Sequence, residues 1–295
     1  MRPILLLLVY LSFVFLGGAL LAPWLFWLAQ WGAGHWLALA RLAANPFHRF
    51  LGRSLLGLAV LGLWPLLRSA RMADCRELGL VKQRRAAAQI LCGFALGWAS
   101  LAAGVFLAYV CGARAPIAAH WPADLGPRLL EATLAALIVA VLEEVMFRGA
   151  LFGLLRKAMP WPVALALSSA IYSLAHFIGK APTTQPVQWY SGLALLRETC
   201  RQPPPLVPAF FTLLVAGAIL ALAYQRTGAL YFSMGLHAGW IFWLKSCRLL
   251  LHQTGGSQAF WGSDNLIDGW AALLILLVVF CLLARRRQVP REETG

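Results

Sequence analysis

Acidic side chains are scarce in this chain, with 11 Asp and Glu against 25 Lys and Arg, and charged residues of both signs make up only 12% of it. A water-soluble domain carries about 25% charged residues, so that class is excluded. With 61% hydrophobic residues and a mean hydropathy of +0.72, the composition falls in the range of a polytopic membrane protein. Asparagine is nearly absent, occurring only at Asn45 and Asn265. No CxxC pair and no HExxH helix occurs, which removes the common zinc-ribbon, disulfide-framework and zinc-protease signatures. The cysteines, Cys75, Cys92, Cys111, Cys200, Cys247 and Cys281, are scattered, most of them inside apolar runs, and are expected to serve as small core residues. No repeat period and no Gly/Ser linker divides the chain, so one helical domain is expected.

What is present is oil punctuated by arginine. A net charge of +14 with 13 Trp would suggest nucleic acid in a soluble chain, but the basic residues separate apolar runs instead of forming one patch, which excludes a nucleic-acid partner. A membrane span needs about 20 apolar residues. Eight runs approach this length: Ile4–Leu28, Phe50–Leu67, Ala87–Cys111, Leu129–Leu155, Trp161–Ile178, Leu206–Tyr224, Ala229–Leu250 and Ile267–Ala284. The sequence therefore predicts an all-α, polytopic transmembrane bundle of about eight spans, with membrane lipids as its surroundings. No charge follows Arg2 until Arg41, which is too long for a signal-peptide core of about 7 to 15 residues and reads as a retained anchor. Pro46 with Arg49 predicts an interfacial piece before the second span. Between Gly179 and Pro208 five prolines surround Trp189 and Tyr190, the pattern of an extramembrane connection with interfacial anchors.

Arg68, Arg71, Arg76, Lys82, Arg84 and Arg85 lie between spans two and three, and Arg285, Arg286, Arg287 and Arg291 follow the last. Basic connections stay on the cytoplasmic side. An even number of spans places both termini there, as in a bacterial inner-membrane protein. By sequence the chain divides into N-terminal helices with a basic loop (1–128), a core (129–250), and a last helix with a basic tail (251–295).

Within the core, Glu143, Glu144 and Arg148 interrupt a span whose preceding run from Ala132 to Leu142 is uncharged. Each such group at the centre of a bilayer costs about 2.5 to 3.5 kcal/mol on insertion scales, so intramembrane ionisable residues are functional candidates by default. Glu144 and Arg148 are spaced i,i+4 with the acid first, the order that pairs best on a helix. Glu143 is rotated about 100° from that pair and is left for work as a general base. Tyr172 and His176 lie one turn apart in the next span. His237 lies in a later one, with Ser233 one turn before it, Trp240 and Ile241 after it, and Gly235 and Gly239 positioned to admit a neighbouring backbone. Two chemistries are open. Glu143 and His176 can activate a water that attacks an amide while His237 donates to the oxyanion, or Glu143, His176 and His237 can hold zinc.

The ordered motifs Glu143-Glu144-x-x-x-Arg148, Tyr172-x-x-x-His176 and the span around His237 resemble the CPBP family of intramembrane endopeptidases, which includes the type II CAAX prenyl proteases and the bacterial Abi proteins. The resemblance covers about Leu129 to Leu250. It implies a glutamate-dependent protease without a cofactor, acting on a membrane-anchored, transmembrane or lipid-modified substrate. Glu143 is then the base, His176 its partner on the water and His237 the oxyanion donor, with Glu144 and Arg148 in support. Tyr172 stands where the family has Phe, and Ile241 where it commonly has Asn, which removes one oxyanion donor. Trp240 or Ser233 is the expected replacement. The alternative is a non-catalytic immunity, scaffold or transport protein using the same polar cluster.

Overall fold

The computed structural model describes residues 2–117, 123–178, 186–201 and 207–285. Helices occupy each of the eight apolar runs. They are α1 (Arg2–Gly32), α3 (Phe47–Ser69), α4 (Ala86–Val110), α5 (Leu125–Glu143, continuing unbroken to residue 156), α6 (Trp161–Ala175), α8 (Val207–Thr227), α9 (Tyr231–Leu250) and α11 (Trp270–Arg285). Short helices α2 (Leu37–Ala43), α7 (Ser191–Arg201) and α10 (Gln258–Trp261) lie between them. Of the long helices, α1, α3, α4 and α8 are long and apolar enough to cross a membrane, and α6 and α11 are apolar but shorter. The helices that carry the acidic pair and His237, α5 and α9, form where spans were expected but are not among these four. The protein is thus a helical membrane protein.

Two compact units are present, 1–73 with 174–205 and 74–173 with 206–295. In the first, small residues on α1 make room for close packing: Ala19, Ala22 and Ala29 are buried with Phe47, Phe50 and Leu51 of α3 and Leu195 of α7. A Cβ at Gly192 would fall 2.0 Å from the Ala19 carbonyl oxygen, so only glycine lets α7 lie against α1. The expected plain connection therefore contains a helix, formed by the proline-free stretch 191–201. The rest of that connection, 179–185 and 202–206, lies outside the described residues, as does Arg286 to Gly295 of the basic tail. Pro46 and Arg49, on which an interfacial piece before the second span was expected, are instead the N-cap and first turn of α3, and the short helix α2 precedes them.

In the second unit the core is built from α4, α8, α9 and α11, through Leu101, Ile219, Leu220, Leu236, Trp240, Leu276 and Val279. Its centre is a reciprocal contact between two small-xxx-small faces. A Cβ at Gly235 would sit 2.0 Å from the Ile90 oxygen and one at Gly239 2.6 Å from the Phe94 oxygen, while one at Gly93 would sit 2.2 Å from the Phe232 oxygen and one at Gly97 2.2 Å from that of Leu236. The close approach expected at Gly235 and Gly239 is present, and the neighbour is α4 with its own matching pair.

The connections of this unit gather at opposite ends, as alternating spans require. At one end the Gly79 carbonyl accepts from Leu230 N at 3.0 Å, the Tyr231 hydroxyl donates to Val81 O at 3.0 Å, and Lys157 pairs with Glu77 at 3.0 Å. At the other, strands β1 (Arg114–Pro116) and β2 (Leu251–Gln253) pair antiparallel. Arg114 is buried there and donates to Ser263 O at 2.6 Å. Arg226 donates to the Leu283 and Ala284 carbonyls at the C-terminus of α11, where a cation also meets the helix dipole favourably. The cysteines depart from expectation: among the described residues only Cys247 is buried, and Cys75, Cys92, Cys111 and Cys281 face outward. In lipid, the outward face of an apolar helix is itself apolar, so a cysteine in an apolar run need not lie in the core.

Candidate active site

From Glu144 to Phe152 the α5 rod is π-helical. Such wider, i→i+5 turns are rare and recur at functional sites. Glu144 and Arg148 at its start are almost completely buried, at 0% and 2% exposure. Two such charges persist in an apolar setting only when paired and hydrogen-bonded. Arg148 Nη1 donates to Glu144 Oε1 at 2.8 Å, and Nη2 approaches the Gly217 carbonyl at 3.5 Å. The guanidinium carbon stands 4.4 Å from the centroid of the Tyr172 ring, a cation–π contact on a desolvated face.

Gly217 has a second use. A Cβ there would meet Ser169 Cα at 3.0 Å and Tyr172 Cδ1 at 3.2 Å, so its lack of a side chain allows α8 to close on α6. The Ser173 hydroxyl fastens the same pair of helices by donating to Phe210 O at 2.8 Å.

His237 enters from α9, whose early turns are held against α4 by the glycine contact. Its Nδ1 lies 2.9 Å from Glu144 Oε1. A carboxylate paired with arginine is an acceptor only, so Nδ1 carries the hydrogen of this bond. The opposite nitrogen, Nε2, lies 3.8 Å from Glu143 Oε2 and 3.3 Å from the Tyr172 hydroxyl. Glu143 is more open than its neighbour, with its side chain 22% exposed. One oxygen of Glu144 therefore joins Arg148 to His237, and His237 turns its other edge toward Glu143.

The structure brings together Glu143, Glu144, Arg148, Tyr172 and His237. His176 is described with the first unit: α6 ends at Ala175, short of the expected Ile178, and His176 follows in a turn closed by Phe177 N donating to Leu174 O at 3.1 Å. The two expected substitutes for the missing asparagine have their hydrogens committed elsewhere. The Trp240 indole donates to Ser100 Oγ at 3.0 Å, and the Ser233 hydroxyl donates to Leu230 O at 2.9 Å. Ile241 is half-buried on α9. Among the described residues no group of three or more His, Cys, Asp and Glu is placed to hold a metal ion.

Sequence reading missed Gly217, whose value lies in a close approach that only the folded chain reveals, and Ser100, a lone serine in an apolar run. Gly93 and Gly97 were missed as well, although their GxxxG spacing is a signal that could have found them. Residues 125–243, which include both glutamates, Arg148, Tyr172, His176 and His237, match the family model described as type II CAAX prenyl endopeptidase Rce1-like. No curated protein and no solved structure matches the chain. Over residues 125–243 this helical membrane protein is therefore similar to the Rce1-like type II CAAX prenyl endopeptidases.

Proposed function

We propose that the chain is a glutamate-dependent intramembrane endopeptidase that cleaves a peptide bond in a membrane-anchored or lipid-modified substrate. The observation that carries this reading is the division of labour in the acidic pair: Glu144 is neutralised by Arg148, while Glu143 faces His237 Nε2 at 3.8 Å. A buried cluster is least costly when its charges cancel. With the Glu144 and Arg148 pair already neutral, Glu143 and His237 Nε2 share one proton in addition to the hydrogen on Nδ1. When that proton is on His237, Glu143 is a carboxylate able to take a proton from water, and His237 Nε2–H is a donor. Base and oxyanion donor are then armed in the same state.

Attack follows from that state. The water oxygen bonds to the substrate carbonyl carbon, Glu143 receives the water proton, and the electrons displaced onto the carbonyl oxygen are stabilised by His237 Nε2–H. Collapse re-forms the carbonyl, breaks the C–N bond and passes the Glu143 proton to the leaving amine. By the family resemblance His176 is the second group on the water. Neither metal nor cofactor enters these steps.

The site's depth suits a substrate presented from one side. His237 is six residues into α9 and Tyr172 eleven into α6, about 9 and 16 Å from the end that carries residues 74–85, at about 1.5 Å per residue. If that basic end is cytoplasmic in an eight-span protein with both termini inside, the cut falls near the cytoplasmic end of the bilayer, and water reaches it from there. A panel of quenched peptides with and without a C-terminal farnesyl group, presented to the purified chain in detergent, tests the reading. Cleavage by the wild type that disappears in Glu143→Gln supports it; no cleavage of any member by the wild type would favour a non-catalytic binding protein.

A further inference from the structure

We infer, resting on that protease reading, that the Tyr172 hydroxyl is the second donor to the oxyanion, acting beside His237 Nε2. Ile241 has no donor to offer, and the hydrogens of Trp240 and Ser233 are directed to Ser100 and Leu230. Tyr172 places its hydroxyl 3.3 Å from His237 Nε2, on the edge of the imidazole that faces Glu143. An oxygen accepting from Nε2–H sits about 2.9 Å from that nitrogen, so a carbonyl oxygen bound there lies within reach of the phenol as well. The two donors converge on one position.

The phenol is also held rigidly enough for the task. Its ring is stacked under the Arg148 guanidinium at 4.4 Å and meets Phe147 edge-on at 5.0 Å, with Gly217 against its Cδ1 edge. A preorganised donor spends no free energy reorienting at the moment of reaction, which is the basis of oxyanion stabilisation. A phenol both accepts and donates. Before substrate binds, its oxygen accepts from His237 Nε2–H; as the tetrahedral intermediate forms, the new oxyanion takes that N–H, and the phenol O–H turns to the same oxyanion. Both groups lend hydrogen bonds and neither transfers its proton, so the proton balance of the hydrolysis is unchanged. Tyrosine at a position where the resembled family has Phe, and Ile where it has Asn, are then one exchange: the donor has moved from α9 to α6.

The test compares wild type, Tyr172→Phe, Ile241→Asn and the double variant as full-length chains, using a quenched farnesylated CAAX-type peptide as the probe. Tyr172→Phe keeps the ring, its stacking on Arg148 and its contact with Gly217, and its thermal unfolding should match the wild type. The expected result is a fall in kcat of about 10²- to 10³-fold, the cost of one oxyanion donor, with KM little changed. Adding Ile241→Asn to Tyr172→Phe should recover at least about tenfold of that loss; a purely structural defect on α6 would not be repaired by an amide on α9. Undiminished kcat in Tyr172→Phe, or a change confined to KM, would overturn the inference while leaving the protease reading intact. Absence of cleavage by the wild type itself would instead remove the protease reading, and this inference with it.

Discussion

His237 presents Nδ1 to Glu144 at 2.9 Å, and because Glu144 is itself held by Arg148 at 2.8 Å, the orientation of the imidazole depends on a salt bridge that belongs to another helix. The buried pair on α5 fixes which nitrogen of His237 is available for chemistry. Under the proposed mechanism, Glu144 and Arg148 act by holding the ring that faces Glu143.

Glu143→Gln should lower kcat on a cleaved quenched peptide by about 10² to 10⁴, the usual contribution of a general base. Its exposure of 22% predicts little change in thermal stability. A variant that keeps wild-type kcat would assign the base to another group.

Arg148→Met should be much more damaging to the fold. It leaves the Glu144 carboxylate, which is 0% exposed, without its cation, a loss of about 3 to 5 kcal/mol for a broken buried pair. Glu144→Gln combined with Arg148→Met removes both charges, so denaturant unfolding of the double variant should show part of that stability restored. Equal stability of Arg148→Met and wild type would contradict the burial described here.

Gly235→Ala should disrupt packing of α9 on α4, because the new Cβ would fall 2.0 Å from the Ile90 oxygen, a backbone atom with no rotamer to yield. Gly57→Ala on α3 is the control: its Cβ meets nothing within 4 Å, and the exchange should stabilise the helix by about 0.5 to 1 kcal/mol. Melting curves in one detergent separate the two, and a tolerated Gly235→Ala would refute the close approach.

Trp240→Phe should retain most of its activity, since the indole N–H is directed to Ser100 and away from the cluster. The lost hydrogen bond predicts about 1 kcal/mol of destabilisation. A fall in kcat of about 10² or more would return Trp240 to the role of oxyanion donor.

Treatment with EDTA or phenanthroline should leave cleavage unchanged. Loss of activity that zinc restores would replace the water-activating glutamate with metal-assisted hydrolysis.

The apolar runs and the order of their polar residues were readable because lipid imposes its demands locally: about 20 apolar residues per span, and a partner within one turn for a charge that must be buried. Glu144 and Arg148 satisfied the second condition within the same helix, at i,i+4. The end of α6 at Ala175 was not readable, since the apolar character of the run continues through Phe177 and Ile178 while the helix does not. Neither was the π-helical stretch that begins at Glu144, because nothing in the spacing of its residues departs from a regular helix.

By itself the sequence determined the membrane class, the ion pair of α5 and the candidacy of Glu143 and His237, all of which follow from composition and short-range spacing. The tertiary structure decided how the donors are used. Trp240 meets a serine 140 positions away, His237 meets Glu144 across 93 positions, and Tyr172 reaches His237 across 65. A hydroxyl or indole carries a single hydrogen, and where it goes is settled by whichever acceptor the packed helices bring within about 3 Å, a fact that no one-dimensional spacing contains.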